Sequence, residues 1–138
     1  MIQRIQTIYL LLVAIACATF IFIPFGELKN AEPALSQLTA KNFPTDMIGA
    51  IAIALIAVVA IFLYGNRKQQ MKIVLVNCVL SVAFIGWMAY GIVQHVGLSN
   101  YGFKIGALLP VFILLFNLLA YGSIKSDEKL VRSMDRLR

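Results

Sequence analysis

Four long apolar runs occupy most of this chain and constrain its fold more than any other feature. The runs fall at residues 5–25, 47–64, 73–93 and 105–121. Each has roughly 17–21 residues, a length at which an α-helix spans a hydrocarbon core of about 30 Å. The chain is 61% hydrophobic and 13% charged, whereas soluble domains usually carry about 25% charged residues. We therefore predict a single all-α membrane domain over 1–138, built as a four-transmembrane-helix bundle.

The placement of basic residues predicts the orientation of these helices. One side of the predicted membrane carries nine of them: Arg4, Arg67, Lys68, Lys72, Lys125, Lys129, Arg132, Arg136 and Arg138. The other side carries three: Lys29, Lys41 and Lys104. Because cytoplasmic segments are enriched in Lys and Arg, the nine should face the cytoplasm. This predicts an up-down bundle with both termini cytoplasmic and an outer loop at 26–46.

The net charge of +6 is better explained by the membrane than by nucleic acid. The basic residues flank the apolar runs, where they can contact anionic lipid headgroups. They are not interleaved with aromatic residues as they are in many nucleic-acid-binding surfaces. We therefore expect the lipid bilayer and other membrane-protein subunits as partners, and no nucleic acid.

The first apolar run has a second interpretation, as a cleavable signal peptide. Arg4 precedes an apolar stretch and the small residues Ala16-Cys17-Ala18, which superficially match such a signal. The run continues through Ile23, however, and is then long enough to span the membrane. We interpret it as an uncleaved first helix.

Polar residues within the spans are few, and no Asp, Glu, Lys or Arg lies at mid-depth. That pattern argues against a proton-coupled transporter, a voltage sensor or an ion pump. Asn77 and Asn117 fall at matching depths on adjacent antiparallel helices, about 6–7 Å from the inner boundary. We predict that they hydrogen-bond to each other or share a polar partner. Such a contact is typically structural and is worth about 1 kcal/mol.

Small residues and one proline predict how the helices pack. Ala50, Ala54 and Ala57 share a face of the second helix, which should approach a neighbour closely. Gly102 and Gly106 form a GxxxG pattern at the predicted start of the fourth helix. Pro110 lies within that predicted helix and is expected to kink it.

Reactive residue types are sparse. Cys17 and Cys78 lie at different predicted depths, about 18 and 9 Å, so a disulfide between them is not expected. His95 is the single histidine and fits an interfacial hydrogen-bonding residue; the alternatives are a redox cofactor or a pH-sensitive contact with a partner chain. Paired acids, a histidine cluster and an activated nucleophile are missing from the pattern. We expect no enzyme activity, no cofactor and no metal.

The last segment, 125–138, is predicted to form a short cytoplasmic amphipathic helix. Ser126 would cap it, with Asp127 and Glu128 in its first turn. It would either lie on the inner membrane surface or dock on a partner protein. The residues predicted to make that contact are Leu130, Val131, Arg132, Met134 and Arg136.

The two ends of the chain resemble a known family. The opening segment Met1–Leu12 (MIQRIQTIYLLL) and the closing segment Asp127–Arg138 (DEKLVRSMDRLR) are similar to small four-helix membrane proteins of Bacteroidota bacteria, catalogued as domain of unknown function 4293. The resemblance covers the full length. It implies a bacterial inner-membrane location with two cytoplasmic termini, and it implies no activity, cofactor or catalytic residue.

These observations favour a non-enzymatic accessory or assembly subunit of a larger membrane complex, respiratory or protein-translocating. The alternative is a small transporter or channel for an unidentified solute. That alternative needs a polar path, and the spans offer mainly Asn77, Ser81 and Asn117 to line it.

Overall fold

The computed structural model describes residues 3–29 and 36–135. In this part of the chain, four helices are long and apolar enough to cross a membrane. They are α1 (Gln3–Phe22), α2 (Pro44–Phe62), α3 (Arg67–Gly91) and α4 (Leu109–Asp135). Each overlaps one of the four predicted apolar runs. Short helical turns extend three of them: Leu63–Gly65 after α2, a π-turn at Ile92–Val96 after α3, and Ile105–Leu108 before α4.

The four helices pack in a ring around one seam of buried side chains. α1 packs on α2 and α4, and α3 packs on the same two helices. Along each helix the buried positions recur at alternating intervals of three and four residues. The buried series are 6-10-13-17-20 in α1, 46-50-53-57-60 in α2, 70-74-77-81-84-88 in α3 and 110-113-117-120-124-127 in α4. This period of 3.5 is typical of left-handed knobs-into-holes packing.

Small side chains on α2 allow its neighbours to approach closely. Ala50 and Ala57 are fully buried, and Ala54 is partly buried. A Cβ atom built on Gly49 would lie 2.8 Å from the ring of Phe84 on α3. The predicted alanine face therefore packs inside the bundle.

A three-stranded sheet, which the sequence did not predict, lies at one end of the bundle. Its strands are β1 (Gly26–Leu28), β2 (Gln37–Leu38) and β3 (Tyr101–Phe103), in the antiparallel order β2-β1-β3. It joins the predicted outer loop 26–46 to the segment that connects α3 and α4. We call this end of the bundle the sheet end. The opposite end, at which α1 begins and α4 ends, is called the terminal end.

Two side-chain contacts hold β3 and the residue after it, Lys104, against the segment that follows α1. Lys104 pairs with Glu27 over 2.7 Å, and the hydroxyl of Tyr101 donates to the carbonyl oxygen of Phe25 over 2.6 Å. Partial burial raises the pKa of the Tyr101 phenol. The sheet end is thus a folded cap rather than two loose loops.

The expected GxxxG helix motif is wrong, because neither glycine lies in α4. Gly102 belongs to β3 and Gly106 to the short turn before α4. A Cβ atom on Gly106 would lie 2.5 Å from the carbonyl oxygen of Pro24, and one on Gly102 would lie 2.6 Å from Cγ of Glu27. Gly106 thus allows the turn before α4 to lie directly against the residues that follow α1, and Gly102 allows β3 to lie directly against β1.

The expected position of Pro110 in the interior of the fourth helix is also wrong. Pro110 is the second residue of α4 and is buried. In the first turn of a helix the backbone N–H groups have no partner four residues earlier, so a proline costs no hydrogen bond there.

The separate amphipathic helix predicted for 125–138 is wrong as well, since α4 runs unbroken from Leu109 to Asp135. Ser126 therefore caps nothing. Asp127 instead continues the buried series of α4, three residues after the fully buried Ile124. The rest of the predicted segment, 136–138, lies outside the described residues.

Candidate functional site

A hydrogen-bonded cluster of three polar side chains lies in the seam between α2, α3 and α4. Asn77 donates from Nδ2 to Oδ1 of Asn117 over 3.1 Å and to the backbone oxygen of Ile53 over 3.4 Å. Asn117 donates from Nδ2 to the hydroxyl of Ser81 over 3.1 Å, and that hydroxyl donates to the carbonyl oxygen of Asn77 over 2.8 Å. The structure brings together the two asparagines predicted to meet and adds Ser81. We call these three residues the asparagine cluster.

Further polar contacts lie closer to the terminal end, and sequence reasoning missed them. Gln6 on α1 donates from Nε2 to Oδ2 of Asp127 on α4. Gln70 on α3 donates from Nε2 to the backbone oxygen of Ala60 on α2 over 3.0 Å. Gln6, Gln70 and Asp127 are at most 5% exposed. Asp127, expected in a cytoplasmic surface helix, therefore ties the last helix to the first.

Two buried side-chain oxygens have no hydrogen-bond partner among the described residues: Oε1 of Gln70 and Oδ1 of Asn77. The two residues are seven positions apart on α3, which corresponds to about 10.5 Å along its axis. A buried acceptor left unsatisfied costs about 1–3 kcal/mol. Both oxygens are therefore positions at which an ordered water would be stabilising.

A small cavity of about 100 Å³ lies near the sheet end, where α2 begins and α3 finishes. Asp46 and His95 both line it, together with the aromatic rings of Phe43 and Trp87. His95 lies in the π-turn, with its ring centroid 6.5 Å from that of Phe43. Asp46 is buried in the first turn of α2. The cavity thus brings the single histidine to the same place as one carboxylate.

The predicted contact residues at the end of α4 are only partly described. Leu130 is 50% exposed and Val131 is partly buried. The side chains of Arg132 and Met134, and all of Arg136, lie outside the described residues. Of the predicted contact residues, Leu130 is therefore the one whose described side chain is exposed at the end of α4.

The chemistry of the seam is that of hydrogen bonding. Amide and hydroxyl side chains do not ionise near neutral pH, so the asparagine cluster has no general acid or base. Cys17 and Cys78 are buried and form no disulfide. Among residues 3–29 and 36–135, no three His, Cys, Asp or Glu side chains are placed to hold a metal ion. The buried hydrogen bonds of the seam are suited to holding the four helices in one register.

The fold and its buried contacts define a small helical-bundle protein with four helices capable of crossing a membrane. The chain belongs to the family described as "Domain of unknown function (DUF4293)", whose family model matches residues 2–137. The match confirms the resemblance carried by the two ends of the sequence. Searches of curated proteins and of solved structures gave no match.

Proposed function

We propose that the protein is a non-enzymatic accessory or assembly subunit of a larger complex in a bacterial inner membrane, with an up-down topology and both termini cytoplasmic. The observation that carries the proposal is that the polar groups of the seam bond to one another across helices. Asn77 bonds to Asn117, Gln6 to Asp127, and Gln70 to the backbone of α2. Because these polar side chains bond across helices, they make the bundle rigid. A rigid bundle would act through its outer surface.

The outer surface of α3 offers a place for a neighbouring helix. Ala83 and Gly86 are exposed there, and a Cβ atom on Gly86 would meet nothing within 4 Å. Trp87 and Tyr90 lie beside them, more than half exposed, with ring centroids 6.3 Å apart. In lipid, small residues let helix backbones approach closely. The bundle does not use these small residues itself, which favours their use by another subunit.

Respiratory and protein-translocating complexes are the two hosts that we propose, because both contain many small membrane subunits without catalytic activity of their own.

The charge distribution supports cytoplasmic termini. The basic residues whose side chains are described are Arg67, Lys68, Lys72, Lys125 and Lys129 at the terminal end, against Lys29, Lys41 and Lys104 at the sheet end.

Purification in mild detergent from the organism's own membrane, followed by mass spectrometry, tests this function. We expect other membrane subunits to co-purify in fixed stoichiometry. Gly86→Leu should remove them, because the new side chain fills the surface that the partner helix needs. Gly122→Leu is the matched control, since Gly122 is also an exposed helical glycine with nothing within 4 Å of its Cβ position. A lone monomer or a symmetric homo-oligomer in the unsubstituted protein would contradict the proposal.

One observation favours the alternative, a small transporter or channel. The unpartnered oxygens of Gln70 and Asn77 are acceptors that a polar solute could use. Solute flux into vesicles that contain only this protein, abolished by Asn77→Leu, would establish that alternative instead.

A further inference from the structure

A basic groove lies on the outer surface between the beginning of α3 and the end of α4, at the terminal end of the bundle. It has a volume of about 630 Å³. Two lysines line each wall: Lys68 and Lys72 on α3, and Lys125 and Lys129 on α4. Each pair is separated by four residues, so both of its members lie on the same face of their helix. The groove is therefore lined from both sides by positive charge.

This accumulation of lysines is unfavourable unless an anion is present. Like charges four residues apart on a helix repel each other, by about 0.2–0.5 kcal/mol for each pair. Among the described side chains, Glu128 is the one acidic residue that lines the groove, against four lysines. All four lysines are exposed, so their ammonium groups can reach a ligand from the surface. The charge balance favours a ligand with one or more negative charges.

The floor of the groove and its position indicate what kind of anion fits. Met71 and Tyr121 line it between the lysine pairs and are partly buried. Beyond them, towards the middle of the spans, Leu75 and Leu118 are 48% and 51% exposed. Each lies three residues from a lining residue, Leu75 from Lys72 and Leu118 from Tyr121, and so on the same helix face. A charged mouth that continues into exposed apolar surface matches a molecule with an anionic head and hydrocarbon chains.

We propose that this groove binds the phosphate headgroup of an anionic phospholipid, with its acyl chains lying along the outer faces of α3 and α4. The lysines stand at the edge of the apolar runs, which is the depth of lipid headgroups in a bilayer. Basic pockets between membrane helices are a recognised way to hold such headgroups. With four lysines against one glutamate, a headgroup with two phosphates should bind more tightly than one with a single phosphate.

The test is native mass spectrometry of the full-length protein released from nanodiscs of three compositions. These are phosphatidylcholine alone, phosphatidylcholine with phosphatidylglycerol, and phosphatidylcholine with diphosphatidylglycerol. We expect a retained anionic lipid, diphosphatidylglycerol before phosphatidylglycerol. The double variant Lys72→Gln/Lys125→Gln should bind it roughly 30-fold more weakly, because each basic residue near an anionic surface contributes a factor of about five.

Two controls separate the groove from net charge. Lys29→Gln/Lys41→Gln removes the same charge at the sheet end and should leave lipid retention unchanged. Arg67→Gln removes a charge at the terminal end from a residue that does not line the groove, and it should also have little effect. Equal loss in all three variants, or no loss in the groove variant while its circular dichroism spectrum shows an intact fold, would overturn the proposal.

The same chemistry could come from a soluble phosphate compound, and a competition experiment distinguishes the two sources. Inorganic pyrophosphate, added in excess to the detergent-solubilised protein, should fail to displace the lipid, because it makes no contact with the apolar floor. Displacement by pyrophosphate at concentrations near those of the lipid would show that the groove binds a free anion and would overturn the lipid assignment.

Discussion

At the scale of single residues, Asn77 links three helices through one side chain. Its amide donates to Asn117 on α4 and to the backbone of Ile53 on α2, while the residue itself belongs to α3. In membrane proteins such bonds contribute less than burial suggests, because the unfolded helices also find polar partners within the lipid. A polar group that loses its partner inside the packed seam, however, pays its desolvation without compensation.

We therefore expect Asn77 and Asn117 to be energetically coupled. Asn77→Leu and Asn117→Leu should each lower the free energy of unfolding by about 1–2 kcal/mol. The double variant should lose less than the sum, with a coupling energy of roughly 0.5–1.5 kcal/mol. Unfolding by sodium dodecyl sulfate in mixed micelles measures all three. Val76→Leu, on the exposed surface of the same helix, is the control and should change little; strict additivity would contradict the coupling.

Sequence alone could predict this pair but not the other buried polar residues. Asn77 and Asn117 lie well inside apolar runs, so their depths could be compared. Gln6, Gln70 and Asp127 lie at or beyond the ends of the runs, where a polar residue ordinarily contacts water and headgroups. The signal that places them inside is the spacing: Gln6 precedes Leu10 by four residues and Gln70 precedes Val74 by four, on the buried series of their helices. Which series of positions is buried, however, can be identified only once the helices that pack on each helix are known.

At the scale of elements, the sheet end is held by glycines that remove side-chain volume where backbones meet. Gly106 lies in the turn before α4, and the carbonyl oxygen of Pro24 would be 2.5 Å from any Cβ atom added there. Backbone cannot yield as a flexible side chain can. The connection from β3 into α4 thus depends on the missing Cβ.

Gly106→Ala should lower the free energy of unfolding by about 1–3 kcal/mol, because the new methyl group forces the cap away from α1. Gly122→Ala is the matched control: its Cβ position is open, and alanine favours a helix interior by up to about 1 kcal/mol. Thermal unfolding in detergent should move in opposite directions for the two variants. A stabilising Gly106→Ala would show that the cap is not in close contact with Pro24.

The helices could be predicted from hydropathy, whereas the strands could not. Strands of two or three residues, such as Gln37–Leu38, are too short to show alternation, and their pairing joins segments far apart in sequence. The prediction that a separate helix starts at Ser126 is wrong for a related reason. Its hydroxyl and the following acids match a helix start, but burial of Asp127 against Gln6 keeps α4 continuous. Tertiary contact outweighed the local capping signal.

At the scale of the whole molecule, the two ends of the bundle differ in both charge and structure. The sheet end carries a folded cap with three lysines, one of them paired with Glu27. The terminal end carries the basic groove and the exposed surface at Leu130. If the terminal end is cytoplasmic, as we propose, the groove faces the leaflet whose anionic lipids it would bind. The orientation and the lipid proposal are thus linked, and each can be tested without the other.

The orientation can be tested by labelling single introduced cysteines with a membrane-impermeant maleimide. The native thiols Cys17 and Cys78 are buried, so they should give little background in folded protein. Gln37→Cys at the sheet end and Ser133→Cys at the terminal end replace exposed side chains. We expect Gln37→Cys to be labelled once the outer membrane is opened, because the sheet end should face outwards. Ser133→Cys should be labelled only after the inner membrane is broken, since the basic end remains with the cytoplasm. Labelling of Ser133→Cys with the inner membrane intact would reverse the topology and would place the lysine groove in the outer leaflet.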